Sequence, residues 1–340
     1  MRYPAFLKKG GTIGLIAPSF GVFGYPYEDK FNNAYKKFSN LGYKIKEVEH
    51  LFGTEKCRST TDEQRAKEFM EMYLDVETDF IISVAGGELM MSMLPYIDFE
   101  TLSFAKPKYI MGCSDNTNLT FTLPILTDTA AIYGSNFGSF GMKNWDESLQ
   151  QAYDLITGNR LHFDSYEMYE LEGLSKLEGN ALCGYNLTEK VEYKSLNGEN
   201  KVEITGRLIG GCLDILLMLC GTKYGQVNNF LEKYKEDGFI WFLEACDLNV
   251  LAQSRGLWQL KQAGWFKYCK GILYGRPVLN EDVLDYSLED ALKENLADLN
   301  CPVIYDCDFG HVPPSWPIIS GAIANFVFEE GKASIEYHLK

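Results

Sequence analysis

Lys108-Tyr109-Ile110-Met111-Gly112-Cys113-Ser114-Asp115-Asn116-Thr117 is the stretch on which the fold reading turns. It opens as a short apolar run of strand type at 108–111, and from Asp115 the pattern becomes helical as far as Leu126. Ser114 therefore stands at a strand-to-helix junction. Working outward, the same alternation appears on both sides. Residues 12–17 (TIGLIA) read as a strand. Phe31, Ala34, Tyr35, Phe38 and Leu41 recur at helical spacing up to Gly42, a natural helix stop. Residues 43–48 read as a strand, and Thr61-Asp62-Glu63-Gln64 as a capping box opening a helix through Leu74. Residues 80–84 and 130–133 are further strands, the first running into Ala85-Gly86-Gly87. Strands alternating with helices predict an α/β fold, with a parallel sheet covered by helices on both faces.

Between about 161 and 176 this rhythm gives way to an acidic, aromatic segment. The expected division is an N-terminal domain at 1–165, a linker at 166–179 and a C-terminal domain at 180–340. In the second half, strands are expected at 202–208, 239–243, 271–274 and 303–305, with an apolar helix at 212–220. A hairpin is expected at 324–339 around Glu330-Gly331.

The composition excludes several classes of function. A net charge of −15 argues against a nucleic-acid partner, which needs a positive field. No stretch is apolar for long enough to span a membrane, and the first residues lack the apolar core of a signal peptide. The nine cysteines are odd in number and include no Cys-x-x-Cys pair, which suits free thiols in a reducing compartment. The expectation is a cytoplasmic protein. No metal-ligand spacing, dinucleotide fingerprint or P-loop is present, so no cofactor and no metal are expected.

Ser114 at its junction can be an exposed nucleophile, or simply a helix cap. In the first case the N–H of Asp115 is a natural oxyanion donor, and Gly86 or Gly87 can supply the second. Asn116 stands where an ordinary α/β-hydrolase elbow has its second glycine. Cys113 reads as a small buried residue, since an alternating turn aims it away from Ser114. Only four histidines are available to serve as a base, and His311 lies in a Gly-His-Val-Pro-Pro turn just past a strand. Glu244 closes the apolar run 239–243 and can orient an imidazole, with Asp247, Asp306 and Asp308 as competitors.

These stretches together resemble the LD-carboxypeptidase family of serine peptidases, which includes the microcin C immunity peptidases. The resemblance starts at Lys9-Gly10-Gly11-Thr12-Ile13-Gly14-Leu15-Ile16-Ala17-Pro18-Ser19 and continues through Gly112-Cys113-Ser114-Asp115-Asn116-Thr117 and Gly206-Arg207-Leu208-Ile209-Gly210-Gly211-Cys212-Leu213. It ends with Phe242-Leu243-Glu244 and Asp308-Phe309-Gly310-His311. It implies a flavodoxin-like N-terminal domain, a smaller C-terminal α/β domain and a homodimer. It also implies a Ser-Glu-His triad at Ser114, Glu244 and His311, acting through an acyl-enzyme on a small peptide-like substrate.

Where the carboxypeptidase branch carries an Arg-Gly-Gly-Tyr-Gly-like loop, this chain has Ala85-Gly86-Gly87-Glu88. That departure leans toward the microcin immunity branch, which cleaves a peptidyl nucleotide rather than a murein tetrapeptide, and it makes Glu88 a candidate substrate contact. A carboxylate on the leaving group calls for a cation, for which Arg276 and Arg207 are the candidates. A non-catalytic ligand-binding protein on the same fold, and an acyl transferase, are the competing readings.

Overall fold

The computed structural model describes residues 1–339. Its first sheet contains β1 (Thr12–Ile16), β2 (Lys44–Glu47), β3 (Phe80–Ser83), β4 (Ile110–Gly112) and β5 (Ala131–Tyr133). They are all parallel, in the order β2-β1-β3-β4-β5. This is the flavodoxin-like order, in which ligands gather beyond the carboxyl ends of the strands. Sequence follows position in the sheet. β3 reads Phe-Ile-Ile-Ser and is buried throughout, whereas β2, at the edge, carries Lys44, Lys46 and Glu47. Charges on an edge strand discourage pairing with another chain. The helix Tyr27–Asn40 buries Phe31, Ala34 and Phe38.

Two expected helical features take a different form. Thr61 caps the helix Asp62–Leu74 by accepting from the Gln64 N–H, but the Gln64 side chain donates to Glu68 instead of closing a capping box. The single helix expected from Asp115 to Leu126 is broken into a 3₁₀ turn at Ser114–Asn116 and helices at Thr117–Thr120 and Thr122–Thr127. Pro124 accounts for the second break, because its ring opposes the carbonyl four residues earlier, at Thr120.

The second sheet is mixed and eight-stranded. Its order is His162–Asp164, Lys332–His338, Ile323–Glu329, Lys201–Cys212, Phe239–Glu244, Cys269–Gly275, Val303–Cys307 and Lys194–Ser195. The expected hairpin is its pair Ile323–Glu329 and Lys332–His338. The strand expected to stop at 208 runs on through Gly210 and Gly211 to Cys212. Both glycines have large positive φ, and a Cβ on Gly210 would meet the Phe242 carbonyl oxygen at 1.8 Å. The chain crosses the expected domain division twice. His162–Asp164 joins the second sheet, and Ile318–Ser320 returns to pair antiparallel with β5 in the first. Among the described residues, no helix is long and apolar enough to cross a membrane.

Four loops converge where the two sheets present their carboxyl edges. Gly86 follows β3, Ser114 follows β4, Glu244 ends its strand and His311 lies beyond Val303–Cys307.

Candidate active site

Ser114 has a φ of +64°, in the left-handed region that side chains other than glycine rarely occupy. Its own N–H points to the Tyr133 hydroxyl at 3.1 Å. A Cβ placed on Gly86 would stand 2.9 Å from Ser114 Cβ, so only glycine lets that loop approach the serine. Among the described residues, the N–H groups of Asp115, Gly86 and Gly87 donate to no protein acceptor. These are the groups the sequence offers as oxyanion donors.

The Asp115 carboxylate plays a separate, architectural part. It is fully buried and accepts from Ser19 Oγ, from the Met90 N–H at 2.9 Å and from Asn118 Nδ2 at 2.9 Å. Burial raises its pKa above the usual carboxylate value, against the pull of those donors. Asn116 is structural as well. Its Nδ2 donates to the carbonyls of Ala85 and Cys113, both at 3.0 Å, tying the glycine loop to the elbow.

Glu244 has no exposed surface. Its Oε2 meets His311 Nδ1 at 2.8 Å, and its Oε1 accepts from the Tyr133 hydroxyl at 2.5 Å. Burial alone would raise the Glu244 pKa, but His311 and then the Tyr133 hydrogen bond outweigh it and hold the carboxyl below its ordinary value. For His311 the signs reverse. Burial would lower its pKa, but the Glu244 carboxylate, helped by Cys246, holds it well above 6.5. Gly310 makes the contact possible. It has φ +109°, and a Cβ there would lie 2.8 Å from Glu244 Oε2. With Nδ1 bonded to the carboxylate, His311 can take up or release a proton through Nε2.

The competing carboxylates are engaged elsewhere. Asp306 pairs with Lys194 at 2.9 Å, and Asp308 pairs with Arg276 at 2.6 Å. Asp247 is exposed, and its N–H donates to Asp214. The two candidate arginines are engaged as well. Arg276 also donates to the Asp306 carbonyl, at 2.9 Å. Arg207 binds Asp237 and the Gly321 carbonyl, five residues short of the strand end at Cys212. Neither guanidinium is free for a substrate carboxylate. Glu88 is exposed, and burial of its carboxyl, then Asp247, Asp115 and Asp214, raise its pKa. Cys113 is half-buried, and burial pushes its thiol pKa up, which disfavours a thiolate.

The sequence offered no metal-ligand spacing, yet among the described residues the fold brings together two groups that could hold an ion: Cys212 with Glu244 and His311, and Glu49 with His50 and Glu68. In the first, the carboxylate is already committed to His311 and Tyr133, and the Cys212 thiol lies 3.3 Å from Asp214 Oδ2. Sequence reading also passes over Tyr133 and Thr117. Tyr133 bridges Ser114 to Glu244, and Thr117 Oγ1 accepts from the Cys212 N–H at 3.0 Å. The available signal is a tyrosine ending a buried strand, whose hydroxyl must find a partner.

Comparison with known proteins gives a consistent result. The LD-carboxypeptidase N-terminal domain profile matches residues 13–134, and the corresponding C-terminal domain profile matches residues 205–326. The chain is 27% identical to the "Probable murein peptide carboxypeptidase" of Bacillus subtilis, covering 98% of this chain and 94% of that one. It is 26% identical to the microcin C7 self-immunity protein MccF of Escherichia coli, covering 97% and 94%. Among solved structures, an MccF-like protein from Bacillus anthracis superposes with a TM-score of 0.83 at 24% identity, over 99% of this chain and 100% of that one. A muramoyltetrapeptide carboxypeptidase from Oxalobacter formigenes gives 0.71 at 19% identity, over 96% and 99%.

Proposed function

This chain belongs to the LD-carboxypeptidase family, and we propose that it is a serine peptidase cleaving an amide bond near the carboxyl end of a small peptide-like substrate. The observation that carries the reading is the buried Glu244 carboxylate, 2.8 Å from His311 Nδ1, at the carboxyl edge of the second sheet, facing the edge of the first that carries a serine strained to φ +64°. Ser114 Oγ attacks the carbonyl carbon while His311 Nε2 takes its proton. The oxygen becomes an oxyanion, held by the N–H of Asp115 and by that of Gly86 or Gly87. The C–N bond then breaks, and the imidazolium returns the proton to the departing amine. Water, deprotonated by the same imidazole, attacks the Ser114 ester and frees the acid and the serine. Glu244 fixes the tautomer and stabilises the imidazolium, and Tyr133 fixes Glu244.

The relatives named above support two substrate types, a murein tetrapeptide and a peptidyl nucleotide. The test is labelling with a fluorophosphonate probe, together with mass spectrometry of products from both substrates. Wild type is expected to take the probe at Ser114, and Ser114→Ala to lose labelling and turnover by roughly 10⁴-fold or more. A Ser114→Ala protein that still turns over either substrate at the wild-type rate sinks the serine mechanism.

A further inference from the structure

With Arg207 paired to Asp237 and Arg276 to buried Asp308, the site still lacks a partner for an anionic substrate group. A cavity of about 160 Å³ has His311 and Pro313 in one wall and Lys30, Glu170, Ser175 and Tyr185 in the others. Lys30 sits in the first turn of the helix Tyr27–Asn40. Its ammonium donates to Ser175 Oγ at 2.8 Å and forms no ion pair among the described residues. Glu170, the carboxylate in the same wall, accepts instead from the Asn186 N–H at 2.6 Å. Burial lowers the Lys30 pKa, and Cys183 and Glu170 only partly offset this. Such an ammonium gains when an anion arrives, because the desolvation is already in place.

Part of the cavity lining comes from the segment 171–186, which joins the paired strands Met168–Glu170 and Leu187–Lys190. A connection this long without secondary structure of its own is typical of functional loops. This one is fastened to the first domain. The Asn180 N–H donates to the Tyr25 hydroxyl at 2.9 Å, and the Lys143 N–H to the Leu182 carbonyl at 2.7 Å.

We propose that Lys30 is the anchor for a carboxylate on the leaving group, which occupies the cavity walled by His311. The inference rests on the serine peptidase reading, since the imidazole that returns a proton to the departing amine must lie against that amine. The cavity is smaller than the ~300–1,000 Å³ of sites for drug-sized ligands. It suits one small amino acid leaving with its own α-carboxylate, not a nucleotide. Lys30 thus supplies, from a different element, the cation that Arg207 and Arg276 are not free to provide.

The probe is the murein tetrapeptide as its terminal acid and as its terminal carboxamide, each used to protect Ser114 from fluorophosphonate labelling. In the wild type the acid should protect at roughly 10- to 100-fold lower concentration than the amide, the range of a charge-assisted hydrogen bond. In Lys30→Met the two should become equivalent. Lys30→Arg should keep most of the preference, and so should Ser175→Ala, which removes only the tether. The assignment is overturned if the wild type shows no acid preference or if the preference survives in Lys30→Met. A loss in Ser175→Ala as large as in Lys30→Met overturns it too, since Lys30 would then merely hold the loop. If wild-type Ser114 takes no label at all, the nucleophile reading fails instead, and calorimetric binding of the same acid and amide to the same variants decides the Lys30 assignment.

Discussion

Replacing Glu244 with Gln tests the proposed catalytic arrangement most directly, because two readouts must move in directions set by the geometry. Both carboxylate oxygens accept in the folded protein, Oε2 from His311 and Oε1 from Tyr133. An amide can accept at only one of the two places. If its NH₂ faces His311, the imidazole must turn a bare Nδ1 toward it and carry its proton on Nε2, where it cannot accept the Ser114 proton. If its NH₂ faces Tyr133, the tyrosine hydroxyl loses its buried acceptor. Either way the labelling rate should fall by roughly 10²- to 10⁴-fold, as when the third triad member is neutralised in other serine peptidases.

The pH dependence should move as well. Labelling requires neutral His311, whose pKa the structure places well above 6.5, so the wild-type rate should climb on an alkaline limb. Glu244 is the main group raising that pKa. With it neutral, burial still acts to lower the value, and the limb should shift to lower pH. A Glu244→Gln protein with the wild-type limb, or one displaced to higher pH, refutes the assignment of Glu244 as the orienting carboxylate.

The same pair predicts a stability window. Folded His311 holds its proton more tightly than the unfolded chain does. Its contribution is full below 6.5 and is lost as pH rises through the folded pKa. Folded Glu244 holds its proton less tightly, so its contribution is present above 4.5 and is lost as pH falls through the folded pKa. The stability gap between wild type and Glu244→Gln should therefore be widest between about pH 4.5 and 6.5.

Three further outcomes are expected. Asp308→Asn removes the anion paired with buried Arg276, so urea unfolding should report a loss of about 3–5 kcal/mol while the pH limb of labelling stays in place. A limb displaced as far as in Glu244→Gln would make Asp308 the orienter. Gly310→Ala forces a Cβ to within 2.8 Å of Glu244 Oε2 at φ +109°, and its labelling rate should drop at least as far as that of Glu244→Gln. Wild-type labelling by Gly310→Ala would show that His311 reaches Ser114 without that turn. Prolonged dialysis against EDTA should leave the labelling rate unchanged, since the ligand atoms of Glu244 and His311 bind each other; recovery of a lost rate on adding zinc would show otherwise.

Much of this site is legible in the sequence because its pieces end strands. A serine after an apolar run, a glutamate closing Phe239-Ile240-Trp241-Phe242-Leu243 and a histidine beyond Val303-Ile304-Tyr305 all announce sheet-edge positions. What local pattern cannot carry is the pairing between distant positions. Arg276 and Arg207 look like free cations until Asp308 and Asp237 are seen beside them, 32 and 30 residues away in the chain. Tyr133 reads as one more apolar residue of a buried strand, although its hydroxyl reaches a carboxylate 111 residues on. Lys30 lies on an ordinary amphipathic helix, and only the segment 171–186 folding over it turns that surface into a wall. The strand Ile318–Ser320 escapes a sequence reading for a related reason. Three residues between Pro317 and Gly321 carry little periodicity, and their partner Tyr133 lies far back in the chain.

These long-range pairings bear on how the two halves of the site stay aligned. A nucleophile on one sheet and a base on another invites a hinge, with catalysis gated by closure. The connections here argue against a loose one. Tyr133 binds the Ser114 N–H and the Glu244 carboxylate at once, and Thr117, three residues past the nucleophile, accepts from Cys212 at the end of the central strand of the second sheet. Gly211 admits Thr117 to that position, since a Cβ there would lie 2.6 Å from its methyl group. Each sheet also takes in one strand from the other half of the chain. Moving the base away from the nucleophile would break the buried hydrogen bond from Tyr133 to the Glu244 carboxylate, worth about 1.5–3 kcal/mol, together with the neutral one from Cys212 to Thr117. Motion that admits substrate is therefore better placed in the segment 171–186, which is held to the first domain by two hydrogen bonds with Tyr25 and one each with Lys30 and Lys143.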